Sequence, residues 1–439
     1  MKNKYYISLF IAFFLTVSTF AQGYEILYKN QDVNERYLYL TGIYGNQPYR
    51  VDSAKGVKQQ YLFKNAKQSL PAGFYTIQTK AGVALVDFIV DKTQKFGIET
   101  SQNDVIFTHS EENTVYRQFK KDLAAGNDLN MYAYTAPESL LGKYVLAQYI
   151  PVHIPEFHWG SHDGRNAAAK KRYQFIIDHY FDNIDFKDTR LMNTPLNVDL
   201  KDFFLTRLYP QTPELMISCI DNLFQRILDE KPTKVQLDMR DIYLKKLIHL
   251  YMTADAGFDT VFVYLVDNYV SQLTQSNFIS DAEKSVFQRI ADRKRKTLVG
   301  ETVPVFKSYN KENQVISTAE IPANYIVLWF WDPDCEHCLQ YTPILCDFYH
   351  NNHDLYNFEV LACSVTEDYD RWLAFIHEHH LDWINTSYAI APPNYDAVEY
   401  FNFADTPAIF IIDKQQKIVA RQFPLDNLQE IFESLPHDK

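Results

Sequence analysis

Seven residues in a row, Tyr325 to Trp331 (YIVLWFW), carry no charge. An apolar run of this length, bounded by turn residues, reads as a strand buried on both sides, so the sheet that holds it must be covered on both faces. The surroundings agree. VPVF (303–306), NFEVLACSV (357–365), PAIFIID (407–413) and KIVARQF (417–423) read as further strands, while the segments after Cys335, Thr366 and Pro424 read as helices. Strand alternating with helix predicts an α/β domain over residues 301–439, a central sheet with helices on both faces.

Upstream the pattern is different. ERYLYLTGIYG (35–45), GFYTIQT (73–79), VALVDFIVD (83–91), KFGIETS (95–101) and DVIFTHS (104–110) are short strand patterns separated by turn signals such as Gly45-Asn46 and Ala81-Gly82. They predict an antiparallel β-sandwich over residues 22–116. From about residue 117 to 300 the period becomes helical. Leu215, Cys219, Leu223 and Ile227 recur every fourth residue behind Thr212-Pro213-Glu214, a cap followed by a first-turn proline. Residues 170–184, 239–254 and 258–272 continue the helical pattern, and Ser280-Asp281-Ala282-Glu283 is a capping box opening a helix that runs to Gly300. The expected fold class is therefore multidomain: a sandwich, an all-α domain, and an α/β domain.

The first residues belong to none of these. Lys2 and Lys4 precede an apolar run from Tyr5 to Val17, and small residues lead to Ala21, so residues 1–21 read as a signal peptide cleaved before Gln22. The run is shorter than the roughly 20 residues that span a bilayer, which argues against a membrane anchor. The chain carries a net charge of −12, and losing Lys2 and Lys4 makes it more acidic. Nucleic acid, which demands a basic stripe, is thereby a poor partner. Five cysteines in an exported chain of 439 residues are too few for a disulfide scaffold and point to specialised thiols.

Two of them stand three apart in DPDCEHC (332–338), where the buried strand hands over to a helix. At a helix N-terminus unpaired N–H groups and the dipole favour a thiolate, so Cys335 is expected to be a nucleophile. Cys338, a turn further in on the same face, is placed to resolve the mixed disulfide that Cys335 forms. His337, when protonated, would tune the thiolate down, while Asp332, Asp334 and Glu336 oppose it.

The last domain resembles the thioredoxin-like family, most closely the TlpA/ResA type of bacterial envelope thiol-disulfide oxidoreductase. The resemblance rests on VGETVPVF (299–306), FWDPDCEHC (330–338), Pro343 and DTPAIFIID (405–413). It implies a disulfide-exchange activity, read here as that of a reductase, in the periplasm or cell envelope of a Gram-negative bacterium, with disulfide-containing client proteins and a membrane electron donor as partners. It implies no metal and no organic cofactor, the redox centre being a Cys335–Cys338 disulfide. It also implies a cis proline at Thr406-Pro407, lying against that disulfide and shaping the substrate groove. Three positions depart from the family pattern: Asp334 stands where most relatives have tryptophan, Trp329 at the buried-acid position, and Tyr341 where a glutamate is frequent. Glu367 is then a candidate proton acceptor for Cys338. The upstream regions resemble uncharacterised sandwich and helical modules that precede such domains in envelope proteins.

Other readings of the same residues are a zinc or copper site on Cys335 and Cys338, a disulfide-donating oxidase, and an adhesion or glycan-binding protein whose sandwich carries the function. Zinc needs two more ligands, and His337 and Cys346 sit awkwardly for it. Cys346, Cys363 and Cys219 read as small buried side chains. His153, His158 and His162, with Glu156 and Asp163, fit a polar loop better than a metal motif. HEHH (377–380) reads as a helix end, and Arg293-Lys294-Arg295-Lys296 as a helix C-terminus facing water.

Overall fold

The computed structural model describes residues 23–101, 104–156, 162–196, 212–254, 256–390, 397–401, 403 and 405–436; the leader expected at 1–21 and His158 lie outside them. The chain divides into two compact units, one of residues 1–199 with 233–239 and one of residues 200–232 with 240–439.

The first unit opens with eight strands: β1 (Tyr24–Asn30), β2 (Tyr37–Tyr44), β3 (Gln47–Lys55), β4 (Gln60–Asn65), β5 (Gly73–Gln78), β6 (Ala84–Val90), β7 (Lys95–Ser101) and β8 (Asp104–Thr108). They form two four-stranded sheets, ordered β4-β1-β7-β8 and β3-β2-β5-β6. Ile26, Phe63 and Ile98 from one sheet share a buried cluster with Leu40, Ile77 and Phe88 from the other, which makes a sandwich. One pairing departs from the antiparallel pattern: β1 and β7 run parallel, with Ile26 opposite Phe96. Parallel neighbours need a crossover, and here the chain passes through the second sheet before returning. Helices α1 (Glu111–Ala125), α2 (Asn130–Tyr134), α3 (Leu140–Tyr149) and α4 (His162–His179) follow. Ser110 caps α1 and Gly126, at φ 71°, closes it in the left-handed conformation that glycine adopts without strain.

Four more helices come next: α5 (Pro213–Ile227), α6 (Lys234–Met252), α7 (Asp259–Leu265) and α8 (Asp281–Arg295). Thr212 Oγ1 accepts the Leu215 N–H with Pro213 in the first turn, and Ser280 and Glu283 cap each other's backbone in a capping box. Cys219 is buried on α5. In the second unit, the basic run at the end of α8 is not simply solvated. Lys294 and Arg421 both pair with the buried Asp259 carboxylate, Arg421 Nη2 at 2.9 Å, and Arg421 Nη1 also donates to the Thr297 carbonyl at 2.9 Å. A buried carboxylate holds its charge only with such partners, so Lys294 is drawn inward from a helix end that would otherwise face water.

Beyond Gly300 the strands are β9 (Lys307–Tyr309), β10 (Val315–Ser317), β11 (Tyr325–Trp331), β12 (Phe358–Ser364), β13 (Ile384–Ser387), β14 (Ala408–Asp413) and β15 (Ile418–Arg421). The helices are α9 (Glu336–Tyr356), α10 (Tyr369–His379), α11 (Ala397–Phe401) and α12 (Leu428–Ser434). VPVF does not form a strand: Pro304 has no N–H to give a ladder, and Val303 and Phe306 instead bury their side chains ahead of β9. The main sheet is ordered β13-β12-β11-β14-β15, with β12 and β13 parallel to β11 and β14 antiparallel to it. Along β11 the side chains alternate between two cores. Val327, Trp329 and Trp331 pack with α9, α10 and α12, while Ile326, Leu328 and Phe330 pack with Ala397 and Phe401 of α11. The uncharged strand is thus buried on both faces, at the centre of its sheet. Among the described residues no helix is long and apolar enough to cross a membrane.

Candidate functional site

β11 delivers the chain to one edge of the sheet, and Asp332-Pro333-Asp334 turns it into α9. The Cys335 N–H donates to the Asp332 carbonyl at 3.1 Å and the Asp334 N–H to Asp332 Oδ1 at 2.8 Å, a turn braced by its own aspartate. Cys335 is then the N-cap of α9. Its φ of −82° and ψ of 117° are extended, and its Sγ accepts the Cys338 N–H at 3.3 Å, the place usually taken by a serine or aspartate oxygen. From the other side the Thr406 carbonyl oxygen lies 3.0 Å from the same sulfur, with Cys335 as donor. The Thr406–Pro407 peptide bond is cis. The structure thus brings Cys335, Cys338 and Thr406-Pro407 together from the start of α9 and the start of β14.

The two sulfurs are thiols here, and their environments differ. Burial works against ionisation of Cys335, but the side chains of Cys338 and Thr406 and the backbone N–H groups of Cys338 and His337 outweigh it and hold the thiol below its ordinary value. Cys338 is fully buried. Burial first, then its bond to Cys335 and the charge there, push its pKa up to about 12. One sulfur can therefore attack as a thiolate while the other waits, protonated, beneath it. Glu336 and His337 are exposed; the part of His337 that reaches the sulfur is its backbone N–H, and its ring lies toward Tyr341. Further along α9, Pro343 removes the N–H that would bond the Leu339 carbonyl, and Thr342 Oγ1 donates to the Cys338 carbonyl at 2.7 Å.

Residues 323–418, which include β11, both cysteines and the cis proline, match the thioredoxin-like family. The C-terminal domain is thioredoxin-like. Residues 165–297 match a domain of unknown function, DUF5106, and no curated protein matches the chain. Solved structures similar to this chain include the thioredoxin domain of a thiol-disulfide oxidoreductase from Bacteroides vulgatus, 22% identical, TM-score 0.28, covering 31% of this chain and 96% of that one. A thiol:disulfide interchange protein from Bacteroides sp. is 22% identical, TM-score 0.29, covering 31% and 90%. A thioredoxin-like protein from Bacteroides caccae is 16% identical, TM-score 0.40, covering 64% of this chain and 99% of its own.

Within the thioredoxin-like domain the space beneath the cysteines is apolar: Trp329 and Trp331 share the buried cluster of Cys338. Glu367 is exposed at the loop before α10. A half-buried acid lies elsewhere in the domain. Burial raises the Glu359 carboxyl against the bonds it accepts from the Val360 N–H and the Tyr349 hydroxyl, but Glu359 stands opposite Ile326 at the start of β11, away from Cys335. Cys363 is buried on β12 beside Thr386, and Cys346 is half-buried on α9; burial pushes their thiols up to about 12 and about 11. His379 ends α10 and His380 caps it at φ 52°. Sequence reasoning missed Arg371, whose Nε donates to Asp334 Oδ1 at 3.0 Å, one residue from the half-buried Cys335. Only a charge on a helix after the next strand announces it, and nothing local links it to Asp334.

Proposed function

We propose that this chain is a thiol-disulfide oxidoreductase of the cell envelope that reduces disulfides in client proteins and is recharged by a membrane electron donor. The observation that carries the reading is the placement of the two sulfurs: Cys335 Sγ at the N-cap of α9, accepting the Cys338 N–H at 3.3 Å, and Cys338 fully buried one turn on. The Cys335 thiolate attacks one sulfur of a client disulfide; a Cys335–client S–S bond forms, the client S–S bond breaks, and the departing client thiolate takes a proton. Cys338 then gives up its proton and attacks the Cys335 sulfur. The Cys335–Cys338 bond forms, the mixed bond breaks, and the second client thiol leaves protonated. The client gains two electrons and two protons, and the donor, a dithiol, must return them to this domain.

The chemistry needs only these sulfurs, with no metal or organic cofactor. Pro407 and Thr406 shape the groove where the client strand lies, and the sandwich and helical regions orient the client or mediate self-association. Residues 1–21 would direct export.

A second reading, the disulfide-donating oxidase, draws support from the same acidified Cys335, because stabilising the thiolate favours the dithiol form. Equilibration with glutathione separates the two: a potential near about −270 mV fits the reductase and one near about −120 mV the oxidase. The activity itself is tested by trapping. Cys338→Ala should accumulate client proteins as mixed disulfides on Cys335, and Cys335→Ala should accumulate none. If Cys338→Ala traps nothing and Cys335→Ala leaves exchange intact, the reading is wrong.

A further inference from the structure

Arg371 Nε meets Asp334 Oδ1 at 3.0 Å directly beside Cys335, and both partners are fixed through their own backbones. The Asp334 N–H donates to Asp332 Oδ1 at 2.8 Å, and the Arg371 N–H donates to Asp368 Oδ1 at 3.0 Å, the N-cap bond of α10. Arg371 therefore sits in the first turn of a helix, where a cation faces the positive end of the dipole and does the helix no service. Both side chains are substantially exposed, and an ion pair in that setting adds little to stability. Stability does not explain the pair.

Its place beside the sulfur does. Asp334 immediately precedes the N-cap of α9, so its carboxylate competes with a thiolate at Cys335 for the same unpaired N–H groups and the same positive potential. A bare carboxylate there opposes ionisation of the thiol, and a guanidinium bonded to it removes most of that opposition. Other charges stand on the surrounding segments: Asp332, Glu336 and His337 on either side of the cysteines, Asp405 ahead of the cis bond, and Glu367 and Asp368 before α10. Arg371 is the cation among them that is bonded to the residue next to Cys335.

We propose that Arg371 is a positioning residue for Asp334, holding its carboxylate off the sulfur and balancing its charge so that Cys335 ionises beside a neutral pair. The proposal rests on the reading of Cys335 as the attacking thiol. Charges several ångströms apart near solvent change such an equilibrium by about threefold, and less at high salt.

The test is the pH dependence of Cys335 alkylation by iodoacetamide in the full-length reduced protein, followed by peptide mass. Arg371→Gln should move the midpoint up and slow alkylation at neutral pH by about threefold, and 1 M salt should shrink the difference. Arg371→Lys should restore most of the rate. Asp334→Asn should move the midpoint the opposite way, and the double variant should titrate close to the unaltered protein. A midpoint unchanged in Arg371→Gln, or single variants that shift in the same sense, would overturn the proposal, since a merely structural role predicts no opposite signs and no rescue by lysine. Reduction of a model peptide disulfide, run in parallel on the unaltered protein, keeps the two readings apart. Failure there removes the oxidoreductase assignment, whereas working exchange with an unmoved titration removes only the role of Arg371.

Discussion

The sulfur of Cys335 lies 3.0 Å from the carbonyl oxygen of Thr406, the residue joined to Pro407 by a cis bond. A carbonyl only accepts, so this contact belongs to the thiol. Once the proton leaves, the sulfur becomes an acceptor, favoured by the side chains of Cys338 and Thr406 and by the N–H groups of the first turn of α9, Cys338 and His337. Cys338 has the opposite balance, since nothing about its burial welcomes a charge.

That contrast makes the stability of the reduced protein depend on pH in a definable way. Cys338 is raised in the folded state to about 12, against about 8.5 for an unfolded cysteine, so its contribution is fully present below the unfolded value and is lost as pH rises toward the folded one. Cys335 is lowered, and its contribution grows as pH rises to the unfolded value and is constant beyond it. Between about pH 9 and 11 the Cys338 loss should therefore steepen the fall of the urea midpoint. Cys338→Ala should be less stable at pH 8 but should fall less steeply, because Cys346, Cys363 and the tyrosines titrate in both proteins. Parallel slopes would show that Cys338 is not the buried thiol described.

Much of the fold could be read from local signals, because those signals are local physics. Thr212-Pro213 and Ser280…Glu283 start helices through bonds that span three residues, and YIVLWFW declares a strand covered on both faces. What could not be read depends on partners distant in sequence. The parallel β1–β7 pairing is a matter of strand order, which alternation does not encode. Lys294 looks like one of four solvated cations until Asp259 is seen buried beneath it. At the site, the cysteines and the proline announce themselves by spacing and resemblance, whereas Arg371 is separated from Asp334 in sequence by α9, β12 and a loop. Trp329 stands in the buried cluster of Cys338, as its place in the sequence predicts, whereas nothing local marks Glu359 as the carboxyl that burial raises.

Glu359→Gln distinguishes a structural acid from a proton relay. Glu359 faces Ile326, five residues before the end of β11, which puts it on the order of 16 Å along the strand from the cysteine end. Its carboxyl is raised by burial, so folding favours the protonated form, and the stability it contributes at low pH declines as pH climbs past the ordinary glutamate value. Glutamine keeps the shape and carries no charge. The variant should be at least as stable as the unaltered protein at pH 7, should lose that advantage near pH 4, and should exchange disulfides at the same rate. A drop in exchange of tenfold or more would make Glu359 the proton acceptor for Cys338 after all.

The Asp259 carboxylate in the second unit is buried and paired with two cations. It is 3% exposed, takes Arg421 Nη2 at 2.9 Å and Lys294 as well, and Arg421, itself 9% exposed, lies over the Phe410 ring on β14. Removing one partner of a buried pair strands the other, at a cost of about 3–5 kcal/mol, whereas replacing both with apolar groups of similar volume is near neutral. Asp259→Ala should therefore lower the urea midpoint sharply, and Asp259→Leu combined with Arg421→Met and Lys294→Met should recover most of the loss. Asp267→Ala, which breaks the exposed pair between the turn just after α7 and Arg295 at the end of α8, should cost less than about 1 kcal/mol. Equal effects of Asp259→Ala and Asp267→Ala would mean that water reaches Asp259 and that the ion pairs there do not hold α7 and α8 to the edge of the sheet.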